Sequence, residues 1–154
     1  MLIHQKIYSE AEIESRYEIM LENYCKAVNI EALTMTDMTR KEILPAVEAY
    51  TAELASAAGA KKSIDSELSC AYEKRLINKL SMLADRIDSA DEILEKKIAE
   101  YSTITDITEA SCFIRDEILP GMANLRAAAD EAETLTAEKY WPFPTYGKLL
   151  FGVR

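Results

Sequence analysis

The chain has 154 residues, about the size of one ordinary domain, and holds only 4 Gly and 4 Pro against 49% hydrophobic and 29% charged residues. So few turn formers exclude an all-β fold, which needs a turn every roughly 8–12 residues, and an apolar half excludes disorder. A net charge of −9 makes nucleic acid and anionic lipid poor partners.

The chain begins its helical pattern at Ser9-Glu10-Ala11-Glu12, which has the form of a capping box. Behind it Ile13, Tyr17, Met20, Leu21, Tyr24 and Val28 fall on one helical face. Asn29 either caps a second helix or is passed through. The stripe resumes through Ile30, Leu33, Leu44, Val47, Tyr50 and Leu54, with Met35 and Met38 in the polar stretch between. Gly59 is the expected C-terminal cap, and Lys61-Lys62-Ser63 the expected turn. Leu68, Tyr72, Leu76, Leu80, Leu83, Ile87, Ala90, Leu94, Ile98 and Tyr101 then follow steps of four and three, a heptad-like seam. Ser102 to Asp106 is rich in cap-type residues and marks a connection. A last helix carries Ile107, Ala110, Ile114, Ile118, Met122, Leu125, Ala129, Ala132 and Leu135 on one face. It ends before Trp141-Pro142-Phe143-Pro144, because two prolines cannot continue it.

One motif occurs twice. Arg40-Lys41-Glu42-Ile43-Leu44-Pro45-Ala46-Val47 and Arg115-Asp116-Glu117-Ile118-Leu119-Pro120-Gly121-Met122 agree at five of eight positions. Each Pro is expected to kink a long helix or to open a new one. With an antiparallel helix between them, the two Pro-bearing helices run parallel and their irregularities match in height.

Little here can build an active site. The glycines are isolated, so no phosphate-cradling loop forms. The single histidine, His4, lies near the chain start and makes a poor catalytic or zinc residue. Glu-x-x-His, needed for a di-iron bundle, is absent, and Glu10, Glu14, Glu18 and Glu22 read as a solvated face. Glu31 and Asp37 are expected to pair with Arg40 or Lys41, or with a partner surface. Cys25, Cys70 and Cys112 are far apart and are expected as small apolar residues in or near a core, in a reducing cytoplasm. No apolar run approaches 18 residues and the start has no signal-peptide pattern.

The tail is richer. Tyr140, Trp141, Phe143, Tyr146 and Phe151 are five of twelve aromatics, joined by Leu149, Leu150 and Val153. Such a cluster either folds back over the bundle's end or docks on another surface.

Two stretches carry a family resemblance: Arg16 to Tyr24 running into Asn29-Ile30-Glu31-Ala32-Leu33-Thr34-Met35-Thr36-Asp37-Met38, and Trp141-Pro142-Phe143-Pro144-Thr145-Tyr146. Together with both Ile-Leu-Pro elements they resemble the C-terminal region of type III glutamine synthetases. The resemblance implies a parent enzyme that joins ammonia to glutamate using ATP and divalent metal, in a ring-shaped oligomer. It places catalysis in upstream domains whose motifs this sequence lacks, so no catalytic residue, metal or cofactor is assigned to this chain.

The expectation is therefore all-α: three to four long antiparallel helices, bundle- or coiled-coil-like, with an aromatic, Pro-containing tail. Residues 1–139 form the bundle and 140–154 a docking tail of the same domain. The function expected is non-catalytic and structural, in contact with the parent's catalytic domain and neighbouring subunits of a cytoplasmic homo-oligomer. The candidate interface residues are Trp141, Phe143, Tyr146, Leu150 and Phe151, then Met35 and Met38. A free-standing coiled-coil adaptor is the alternative, and a small four-helix enzyme a distant third. An in-phase upstream glutamine synthetase reading frame separates the first from the second.

Overall fold

A computed structural model describes residues 8–144 and 146–152. Among these no strand occurs, and the elements run α1 Glu10–Met38, a π-helical segment Thr39–Ile43, α2 Leu44–Ile64, α3 Ala71–Tyr101, α4 Ile107–Phe113, a second π segment Ile114–Ile118, α5 Leu119–Leu135 and the short α6 Tyr146–Phe151. α1, the first π segment and α2 follow without a break, so residues 10–64 are one helical run of about 80 Å. α4, the second π segment and α5 form another. Three long runs thus make the bundle, the low end of the expected range, with α3 antiparallel between the other two.

The capping box forms as expected. The Glu12 amide donates to Ser9 Oγ at 3.3 Å and the Ser9 amide to Glu12 Oε2 at 2.7 Å. Asn29 is passed through. Gly59 is not a cap, because the helix continues to Ile64 through Lys61, Lys62 and Ser63. Ala60 to Ser63 are good enough helix formers to carry it on, and the Asp65 backbone turns extended only after them. The connection at residues 102–106 forms as expected, with the Asp106 carboxylate capping α4 by accepting from the Glu109 amide at 2.8 Å.

Both copies of the Leu-Pro motif coincide with a π segment. A proline in a helix clashes with the carbonyl four residues back and lacks an amide to bond it. Widening one turn moves that carbonyl aside, and the Leu44 and Leu119 amides bond Thr39 O and Ile114 O, five residues back. The helix is therefore widened at each motif and not ended.

The core is built on α3, whose Leu80, Ile87 and Leu94 are fully enclosed, with Val47 from α2, Ile114 and Ile118 from the second π segment and Leu125 from α5. Leu68 and Tyr72, expected in the same seam, are exposed because α3 starts only at Ala71 and its first turn lies at the bundle's edge. Cys25 and Cys70 are buried as expected, whereas Cys112 is exposed on α4 and not part of the core.

The π segments dock on α3 within about a turn of one another. Arg40 Nε donates to Asp91 Oδ2 at 2.5 Å, while its two Nη atoms grip Glu95 at 2.8 and 2.7 Å. On the other flank Lys97 donates to Glu117. Gly121 follows Pro120, and a Cβ there would meet Leu94 Cδ1 at 3.3 Å, so helix and helix touch closely at this level.

Candidate interface

Among the described residues two apolar surfaces remain open. One is a trough of about 1010 Å³. α1 contributes Ile30, Met35 and Met38 to it, and the first π segment Ile43. α5 contributes Met122 and Leu125, and the tail contributes Trp141, Phe143 and Leu149.

The tail reaches this place by a defined path. α5 ends at Thr136, whose backbone amide (2.9 Å) and hydroxyl (2.8 Å) both donate to the Ala132 carbonyl. A turn follows, with the Tyr140 amide on Ala137 O at 2.8 Å. Glu53 of α2 then holds the chain. Lys139 Nζ donates to its carboxylate at 2.9 Å, and the Tyr140 hydroxyl donates to it as well. These donors hold the Glu53 carboxyl below its ordinary value, and the same carboxylate, foremost, pushes the Tyr140 phenol up. The Tyr140 ring lies 5.5 Å from Tyr50. Trp141 and Phe143 meet edge-to-face at 6.3 Å and pack on the core's flank.

Four of the seven candidate residues are thus brought together: Met35, Met38, Trp141 and Phe143 line one trough. Leu150 and Phe151 do not. They lie on α6 at 72% and 80% exposure, turned to solvent while their neighbour Leu149 lines the trough. The Tyr146 side chain lies outside the described residues, as do His4, Thr145 and Val153. Sequence reasoning missed Ile30, Met122 and Leu125 as lining. Met122 was legible as the partner of Val47 in the repeated motif, but not the face it would show.

The second surface is on α1. Its earliest buried residue is Cys25, so residues 10–24 run on for about 22 Å without a buried side chain. Tyr17 (58%), Met20 (71%) and Tyr24 remain exposed in a row, although their spacing is that of a core face.

Charge at the trough is sparse. Glu31, Arg126, Asp130 and Glu133 line it, and among the described residues no group of three His, Cys, Asp or Glu side chains is placed to hold a metal ion. The expected pair for Asp37 forms with Lys41 at 2.5 Å. Glu31 does not pair with Arg40, whose guanidinium is taken by Asp91 and Glu95 across the helix interface. Among the described residues no helix is long and apolar enough to cross a membrane.

Comparison with known proteins adds to this geometry. Residues 1–62 match the family described as glutamine synthetase C-terminal domain. A glutamine synthetase of Butyrivibrio fibrisolvens is 37% identical over 148 residues, covering 96% of this chain and 21% of that protein. A type-3 glutamine synthetase of Dictyostelium discoideum is 28% identical over 149 residues, 94% of this chain and 20% of its own length. A glutamine synthetase of Bacteroides fragilis is 27% identical over 157 residues, with 98% and 21% covered. The chain spans about a fifth of the length of the curated relatives it matches.

Proposed function

Because the chain matches the C-terminal region of glutamine synthetases, type III included, we propose that it is a non-catalytic structural domain of such an enzyme. In this reading the parent ligates ammonia to glutamate with ATP, and the ATP and divalent metal are bound outside these 154 residues. The domain packs on the catalytic body and on neighbouring subunits of a cytoplasmic homo-oligomer, and residues 140–154 form its docking tail.

The observation that carries this reading is the uncovered row on α1. Tyr17, Met20 and Tyr24 have the spacing of a buried stripe but none of the described residues covers them. Contiguous exposed apolar surface of this kind marks a contact region. The test is made in the intact enzyme. Tyr17→Glu with Met20→Glu should break the assembly into smaller particles and lower turnover with it. Normal particle size and turnover in that variant would refute the assembly role of α1, and the same result for an enzyme truncated before Trp141 would refute that of the tail. Incubated alone with glutamate, ammonia, ATP and magnesium, the 154-residue chain should form no glutamine; real turnover would overturn the non-catalytic reading.

A further inference from the structure

The trough has a shape and charge pattern that select among guests. Its wall along α1 and the first π segment runs from Ile30 to Ile43, about 20 Å of helix, so it suits an elongated apolar face. Met35, Met38 and Met122 are unbranched and adapt to an incoming surface. Of the four charges that face it, Arg126 Nε lies 3.6 Å from Asp130 Oδ2, and those two offset each other. That leaves Glu31 on the α1 wall and Glu133 on the α5 wall, one carboxylate on either side of an apolar floor. Neither side chain takes part in a hydrogen bond or ion pair among the described residues.

We propose that this trough receives an amphipathic helix of a partner protein whose apolar stripe is flanked by Lys or Arg. A second copy of the chain is the wrong guest. Its net charge is −9, and its own exposed row on α1 is flanked by Glu10, Glu14, Glu18 and Glu22, which would face Glu31 and Glu133. The proposal deepens the reading of the chain as an interaction domain and rests on it in that sense, but its readout does not depend on the α1 row or on the parent enzyme.

Trp141 is the sole tryptophan and lines the trough, so its emission reports occupancy. The intact 154-residue chain is titrated with a synthetic Lys/Leu amphipathic helical peptide and with its Glu/Leu counterpart. The Lys peptide should give a saturable blue shift, and the Glu peptide should bind about tenfold more weakly or worse, because its charges repel the two carboxylates. Glu31→Gln and Glu133→Gln should each weaken binding about two- to fivefold. Met38→Asp or Met122→Asp should weaken it about tenfold or more, although each adds charge of the attracting sign. Circular dichroism checks that these variants fold, and Met38→Gln replaces any that does not. Equal binding of the Lys peptide to Met38→Asp would mean attraction to an acidic surface only and would overturn the proposal. So would equal binding of both peptides, or no shift at all. A dimer that dissociates in Met38→Asp but not in Tyr17→Glu would give the trough to a second copy instead. Loss of parent assembly in the Tyr17 and Met20 variants bears on the assembly role alone and leaves this titration unchanged.

Discussion

Asp91 is the most exacting residue of the fold. It is 2% exposed, its Oδ1 has no hydrogen-bond partner, and its other oxygen takes the Arg40 Nε. Burial pushes its carboxyl above the ordinary value, and Arg40 opposes that shift. Removing Arg40 therefore strands a buried charge. Arg40→Ala should cost about 3 kcal/mol at pH 7, read by urea denaturation. It should also raise the Asp91 pKa further, so the penalty is full above that raised value and shrinks as pH falls through it. A loss that stayed constant as pH fell into the acid range would locate the damage elsewhere. Arg40→Met with Asp91→Leu should recover most of the stability, since apolar packing replaces both charges. Glu73 titrates with the opposite sense. Lys61 donates to it and holds it below the ordinary value. Its contribution is present above the ordinary carboxylate pKa and is lost as pH falls through the lowered one, and Glu73→Gln should flatten that acid limb of the stability profile.

At the scale of elements, Pro45 and Pro120 act alike, while Gly59 and Gly121 do not. The repeated motif was legible, and so was the parallel run of its two helices about α3. Its form was not, because propensity says that proline disturbs a helix without saying whether the chain ends, bends or widens there. Packing on α3 decides, since Arg40 and Glu117 are both held across to it. Gly59 was misread for a related reason: a cap and a tolerated interior glycine look alike until the next turn is known to stay helical. Nothing lies within 4 Å of a Cβ placed there. Gly59→Ala should therefore raise stability by about 1 kcal/mol, the propensity difference alone. Gly121 behaves differently, because Leu94 is fully buried and stands in the way. Gly121→Val should lower stability by about 2 kcal/mol through overpacking, while Gly121→Ala changes it little. Thermal denaturation of the three variants checks both signs.

For the whole molecule, the open α1 row sets how the isolated chain behaves. Its apolar side favours pairing, but Glu10, Glu12, Glu14, Glu18 and Glu22 against Arg16 repel a second copy. We expect a weak dimer that tightens as salt rises, because screening removes the repulsion and leaves the apolar contact. Sedimentation at low and high salt checks this, and Tyr17→Glu should keep the chain monomeric in both. The sequence by itself determined the helical class, the α3 seam from Leu76 to Leu94 and the last helix face. Those follow from local periodicity and composition, which act before any tertiary contact forms. Only the tertiary structure decided which stripes are covered. Tyr17 and Leu80 both sit on regular apolar faces, yet one is open and the other enclosed, because burial depends on where the neighbouring runs stop. The same holds for the trough. Met35 and Met38 precede Trp141 by about a hundred residues, and the turn at Ala137 with its anchor on Glu53 brings them together.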